Sequence, residues 1–459
     1  MSVRGWLVPG IVFSAVLIAE LVLVAGAGTD IPYQDQWAVE GRQLYPTWVD
    51  GTWRPVDLIA PHNEHRIAWT RALDLALFRW NGGWDPLVQL VAGAILRAGA
   101  AGLLAGLLAK RSGGKGSVFI AIGIALAYLP HLAWQNVLWG FQSSVYFALL
   151  FSFGAFALLG SEQGSSGRRV FGLLCGAAAM FAMGPGFLVP WVLLGLVALR
   201  MIESRRFEGA RIRSAWPVAI LLALMLCLHR DVAAHAMLRP ASLSQFAVAL
   251  ARAAAWPHVW TPVAAIGLNF PIAWLVVARI AGRRRAAPGE DFVLLLAGWA
   301  AAMIIAMAWT RGGSGEFDGG IPSRYADFLV LLPISNAAAA VFLMRDANVR
   351  KAWARIGAVA WAIFFVAGWI GLSAEVMSRL ILPRMRDRDA PVRAMVAFQR
   401  TRDPAVFEGQ PLLYVPDSNP VAVAAVLDDP RLKGKLPPSL QPREPLRSLS
   451  RAVRAVLGR

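Results

Sequence analysis

Long apolar runs separated by short polar breaks recur along most of the chain, and their length decides what they are. A helix that crosses a bilayer needs about 20 apolar residues. About eleven segments approach that length, near 7–27, 87–109, 118–132, 143–160, 170–183, 186–201, 215–229, 263–281, 291–309, 325–344 and 352–377. The pattern predicts an all-α polytopic membrane protein, with a transmembrane domain over 1–377 and an extramembrane C-terminal appendage over 378–459. The first run ends in Ala25-Gly26-Ala27-Gly28, as a signal peptide can, but its apolar stretch is too long and its basic flank is only Arg4. It is expected to be an uncleaved anchor.

The breaks between runs are of two kinds. One kind is short and basic: Lys110, Arg111 and Lys115; Arg168 and Arg169; Arg205, Arg206, Arg211 and Arg213; Arg283 to Arg285; and Arg345, Arg350 and Lys351. The other kind is poor in Lys and Arg. Their alternation assigns the basic loops to the cytoplasm and the N-terminus to the inside. Because basic loops flank 170–200 on both sides, that stretch must cross twice, turning at Gly184-Pro185-Gly186. By the same logic 118–160 is a hairpin that turns near Pro130 to Asn136. An odd number of crossings puts the appendage outside, although it holds 15 Lys and Arg against 8 Asp and Glu. Its Pro411 to Pro416 stretch has a β-like, proline-bounded pattern.

Composition agrees with the pattern. The chain of 459 residues is 57% hydrophobic and 16% charged, where ordinary soluble domains carry about a quarter charged residues. This excludes a soluble enzyme, a disordered chain and a disulfide scaffold. The two cysteines, Cys175 and Cys227, lie in different apolar runs. The net charge of +17 sits between apolar segments, so membrane lipid, not nucleic acid, is the expected partner. Glu20 and Arg97 fall at matching depths of the first two spans, which predicts a buried ion pair.

Polar chemistry gathers on the expected outer side. All six histidines (His62, His65, His131, His229, His235, His258) fall there, with many of the tryptophans. The first outer loop, 28–86, holds Asp35 just past the first span, then Glu40, Asp50 and Asp57, then Pro61-His62-Asn63-Glu64-His65-Arg66. From Glu64 onward the spacing is helical. Trp69, Leu73, Ala76 or Leu77, and Trp80 form an apolar stripe, with Glu64, Arg71 and Asp74 on the polar side. That predicts an amphipathic helix lying along the membrane surface, with His62, Glu64 and His65 at its N-terminal end, where anions bind well. A carboxylate such as Asp35 can act as general base on a hydroxyl, or can cap a helix. His62, Glu64 and His65 lack the spacing of the zinc-protease motif. No metal site is assigned, and a divalent ion stays open as a cofactor. Beyond the loop, Arg324 with Tyr325 stands at the mouth of a late span, after the glycine-rich 311–316 segment, as a candidate phosphate contact or a snorkelling cation. Asn136, Trp139 and Gln142 offer hydrogen bonds and stacking to a sugar.

These features resemble the GT-C superfamily of integral-membrane glycosyltransferases: a first span, an acidic residue at once in the outer loop, surface helices, then many spans. Asp35 occupies the place of that superfamily's catalytic acidic residue. Glu64-His65 is similar to the second acidic-basic pair of the arabinose-transferase-like branch, with His where Lys is common. Gln135 to Gln142 and Pro322-Ser323-Arg324-Tyr325 look like segments of uncharacterised bacterial members. Where several branches carry two adjacent acidic residues, this chain has Asp35-Gln36. The resemblance implies a polyprenyl-phosphate-linked sugar donor, an inverting transfer to an envelope glycan or lipid acceptor, and a site at the outer face of the bacterial cytoplasmic membrane. Asp35 and Glu64 would be catalytic. His62, His65, Arg66, Arg324 and Tyr325 would hold the donor phosphate, and Asn136, Trp139 and Gln142 the substrate. The alternatives are a transporter or flippase of lipid-linked sugars, or a non-catalytic envelope-assembly protein.

Overall fold

The computed structural model describes residues 3–459 apart from 113, 130, 162–163, 206–208, 210–214, 318–319, 346–350, 411–414, 418 and 443. Pro130, Arg206, Arg211, Arg213, Arg350 and the Pro411 to Tyr414 stretch of the expectations above lie outside the described residues. What is described is helical almost throughout. Among the described residues, eight helices are long and apolar enough to cross a membrane. They coincide with eight of the eleven expected segments. The other three, near 170–183, 215–229 and 263–281, form the shorter helices Ser166–Met180, Trp216–Leu228 and Ala264–Ile280. The chain is a multi-pass all-α membrane protein.

The helices Val3–Ala27 and Pro86–Ser112 pack side by side at the start of the bundle. Arg97 and Glu20 form the expected ion pair, and a third member joins them. Asp327, at the start of a late span, binds Arg97 Nη2 at 2.8 Å, and Asn136 Nδ2 donates to its other oxygen, also at 2.8 Å. All three charged side chains are almost fully buried. A charge left alone in an apolar interior costs several kcal/mol, so each member needs the others. Helices far apart in sequence are thereby fixed in one arrangement.

Segments 28–85, 229–242, 312–317 and 320–325 meet at one end of the bundle, and the appendage packs on the first of them. Arg454 binds Asp30 at 3.1 Å and Asp85 at 2.6 Å. Arg431 reaches Asp50 at 3.0 Å, and the Asn81 carboxamide oxygen accepts from the N–H and hydroxyl of Ser450. Met395, Phe398, Val423, Val426 and Leu432 of the appendage share a core with Trp37, Tyr45, Phe78 and Trp84 of the first loop. The appendage and the first loop thus form one body on one face.

One expectation changes. The helix of the first loop runs Ala68–Asn81, and Glu64 is not on it. Residues 61–66 form a tight antiparallel hairpin that pairs Pro61 with Arg66 and His62 with His65. Asn63 adopts φ 50°, a left-handed conformation that suits asparagine in a turn. The helical periodicity is real only from Ala68. Its predicted stripe is divided: Trp80 is 73% exposed, whereas Trp69 packs on Phe151 with centroids 5.1 Å apart and donates to Ala178 O, Leu77 packs on the core, and Arg71 and Asp74 turn inward. The exposed Trp80 at the end of the helix suits a membrane–water interface.

Candidate functional site

Asp35 opens the first turn after the loop that leaves the first helix. The loop is pinned from several sides. Gln34 takes φ 49° and donates its N–H to Pro416 O of the appendage at 2.6 Å. Tyr33 N–H bonds Gln36 Oε1 at 3.1 Å, and Trp37 Nε1 bonds Pro32 O at 2.9 Å. Asp35 keeps a partly open carboxylate, 38% exposed, which faces His62 Nε2 at 3.6 Å. The His62 ring rests edge-on against Phe141, with centroids 5.3 Å apart.

The hairpin that carries His62 also aims Glu64 and His65. Glu64 is hydrogen-bonded to His235 Nδ1, a residue of the 229–242 loop. Burial raises the Glu64 carboxyl, but the His235 bond, its own backbone N–H and the neighbouring His65 outweigh this and hold it below its ordinary value. His65 is driven the opposite way: burial brings its imidazole down to about 4, opposed by Glu64 and aided by the charges of His62 and Arg311. His65 is therefore neutral at pH 7, while Glu64 is ionised. The Gly184 turn presses on the His65 ring. A Cβ at 184 would stand 2.6 Å from His65 Cε1, so only glycine allows the approach.

Three buried polar atoms of this cluster have no hydrogen-bond partner: Glu64 Oε2, His65 Nδ1 and Arg311 Nη1. Such atoms are costly unless something pairs with them. Asp35, His62, Glu64 and Arg311 all act electrostatically on His65, so an acid, two imidazoles, a carboxylate and a guanidinium share one small region. His235 and Arg311 are not foreseeable from local sequence pattern, because each comes from a distant loop or helix end. Asp417 was missed for the same reason: burial raises its carboxyl, and the Asp35 charge adds to this, so the appendage brings a second carboxyl near Asp35.

Arg324 acts on Tyr33, whose hydroxyl burial pushes up to about 12 against the pull of Arg324 and Arg384. Arg324 pairs with Glu316 and covers the Tyr325 ring at 4.9 Å. The two segments singled out by the resemblance are bonded to each other. Gln135 Oε1 accepts from Arg324 N–H at 3.1 Å, and Asn136 Nδ2 donates to Arg324 O at 3.0 Å. Asn136 also serves Asp327, so its amide donor is used within the fold. Trp139 stands edge-on to Tyr33, with centroids 5.5 Å apart, and stacks on Phe141. Gln142 is buried, with its Oε1 unpartnered. Arg66 spends a donor on Ile59 O at 2.6 Å, tying the hairpin to the preceding turn.

A second polar cluster lies beneath this one. Gln89 Nε2 donates to Glu40 at 2.7 Å and to Asp74 at 2.8 Å, and the Tyr45 hydroxyl also donates to Glu40, at 3.1 Å. Burial pushes Glu40 up to about 7, and burial with the Glu40 charge pushes Asp74 well above its ordinary value. Burial and mutual repulsion favour the protonated form of the pair, and Arg71 only partly opposes this at Asp74. Among the described residues, no group of three or more His, Cys, Asp or Glu is placed to hold a metal ion.

No family model matches this chain, and no curated protein matches it. Among solved structures it is similar to the archaeal oligosaccharyltransferase AglB from Archaeoglobus fulgidus, determined in complex with an inhibitory peptide and a dolichol-phosphate. The TM-score is 0.44 and the identity 12%, over 88% of this chain and 60% of that one. This chain thus spans less than two thirds of the length of that structure.

Proposed function

We propose that the protein is a GT-C-like glycosyltransferase that moves a sugar from a polyprenyl-phosphate donor to an envelope acceptor, at the face formed by the first loop and the appendage. The observation that carries the reading is the Asp35–His62 pair beside the unpartnered Glu64, His65 and Arg311 atoms. Asp35 is open enough to meet an acceptor hydroxyl and would take its proton as the oxygen bonds the anomeric carbon. The bond from that carbon to the donor phosphate breaks, and the electron pair leaves with the phosphate. Arg311 and Arg324 would receive that negative charge, with neutral His65 as a hydrogen-bond donor. Attack on the face opposite the departing phosphate makes the transfer inverting. In this reading the catalytic face lies outside a bacterial cytoplasmic membrane, with the N-terminus inside and eleven crossings.

The test is mass spectrometry of envelope glycans and lipid-linked intermediates. A deletion strain would be complemented with wild type, Asp35→Asn or Glu64→Gln at equal membrane abundance. The reading expects Asp35→Asn to leave a sugar missing and its polyprenyl-linked donor accumulated. Wild-type glycans in the Asp35→Asn strain overturn it and bring transport or scaffolding forward.

A further inference from the structure

The end of the bundle opposite the first loop contains a cavity of about 800 Å³. Six arginines line it: Arg111, Arg168, Arg200, Arg279, Arg284 and Arg285. Loop arginines on one membrane face are ordinary, but here they converge on a hollow, and the charges do not balance. Arg279 pairs with Glu203 and with Asp291 at 2.8 Å, Arg200 reaches Asp291 at 2.6 Å, and Arg284 pairs with Glu290. Those three arginines and three carboxylates neutralise one another.

Arg111, Arg168 and Arg285 are left over. Arg111 donates to Leu107 O at 2.8 Å and lies over the Phe292 ring at 4.3 Å. Arg168 donates to Ala157 O at 2.7 Å, and its Nε is buried with no hydrogen-bond partner. Neither meets a carboxylate among the described residues. The two stand close enough to repel one another. The turn at Gly289, with φ 90°, lies against Arg111 so closely that a Cβ there would stand 3.1 Å from Arg111 Cγ. The turn thus packs on the aliphatic stem of Arg111 at the cavity wall. Like charges placed together with an unused buried donor are unfavourable unless an anion joins them.

We propose that this cavity binds a phosphate group, with Arg111 and Arg168 as its principal ligands and Arg285 at the rim. The phosphate belongs either to the headgroup of an anionic lipid or to a soluble phosphate compound. The site is separate from the one proposed for sugar transfer and does not rest on it.

The experiment uses full-length protein in neutral detergent. Native mass spectrometry follows retention of phosphatidylglycerol, and calorimetric titration follows inorganic phosphate. Wild type is compared with Arg111→Gln/Arg168→Gln, and with Lys110→Gln/Arg355→Gln, which removes the same charge from exposed positions. Arg168→Ala serves as a second cavity variant, since it breaks no ion pair. The cavity variants are expected to bind about tenfold more weakly than wild type, the loss of one charge-assisted hydrogen bond, while the control pair stays within about twofold. Phosphatidylglycerol retained and not displaced by inorganic phosphate identifies a lipid headgroup. Displacement, with phosphate binding on its own, identifies a soluble compound. Equal weakening in cavity and control variants, or retention of neither probe by wild type, overturns the proposal.

Discussion

Glu64 and His235 are hydrogen-bonded although 171 positions separate them. The bond ties the hairpin of the first loop to the loop between two later helices, and it orients the carboxylate whose second oxygen has no partner. His235→Ala is therefore expected to release Glu64 and lower transfer about as much as Glu64→Gln does, while His235→Gln, which can still donate, retains more activity. Transfer measured for the three variants at equal membrane abundance checks this. Indifference to both His235 changes would separate this pair from the chemistry.

Asp35→Asn should abolish transfer yet leave the fold intact. Asp35 and His62 are partly exposed and 3.6 Å apart, so breaking the pair costs the fold at most about 1 kcal/mol. An unchanged melting temperature together with lost transfer is the expected combination. A large fall in melting temperature would instead make Asp35 a structural residue.

The buried triad behaves in the opposite way. Asp327→Ala leaves Arg97 with one carboxylate in an apolar interior, and Arg97→Leu strands two. Each is expected to destabilise the protein by about 3–5 kcal/mol, read as a fall in melting temperature and in membrane abundance. Changing Glu20 and Arg97 together, to Gln and Leu, should cost less than the two single losses added, because the second change removes a charge that the first left alone.

The Glu40–Asp74 pair predicts how stability varies with pH. An acid whose folded value is raised binds its proton more tightly in the folded state. The stability it contributes is present at low pH and is lost as pH rises from the ordinary 4.5 through about 7. Thermal unfolding between pH 5 and 8 should show wild type losing stability with rising pH. Glu40→Gln keeps an acceptor for Gln89 and Tyr45 without the ionisation, so its slope should be shallower and its stability at pH 8 higher. Parallel curves for the two proteins would exclude the pair as the source.

Gly184→Ala tests the approach to His65. The added methyl must displace the imidazole, so transfer is expected to fall at least tenfold while membrane abundance changes little. A shift in the His65 proton resonance, without general change in the spectrum, is the accompanying sign.

How much of this was legible in the sequence follows from the range of each interaction. The spans could be read because apolar length is a property of a continuous segment. The Glu20–Arg97 pair could be read because two charges at equal depth in neighbouring helices have few other partners. Asp327 escaped because it lies just inside the mouth of a span, beside Arg324 and Tyr325, where a charge looks interfacial. Asp35, His62, Glu64 and His65 were named as a group, and the fold brings them together. However, the periodicity from Trp69 was extended back too far, across Asn63, where one left-handed residue starts a hairpin in place of a helix. His235, Arg311 and Asp417 join the cluster from distant parts of the chain, and no local pattern marks them. Glu40 was noted only as a loop acid, since burial of a single residue in a polar loop leaves no trace in its neighbours.

The docking of the appendage on the first loop also sets an order of events. Arg454 binds Asp30 across 424 positions, and Arg459 donates to Gly28 O across 431, at 2.9 Å. During synthesis the first loop emerges early, but the partners that close it are made after all the intervening helices. Contacts between such distant residues form late. Until then Asp30 and Asp85 have no arginine, and the turn that carries Asp35 lacks the Pro416 carbonyl that pins it. The segment around Asp35 is thus translated before the appendage that fixes it and is among the last to reach its final shape, so a half-made molecule carries Asp35 and His62 without their final arrangement.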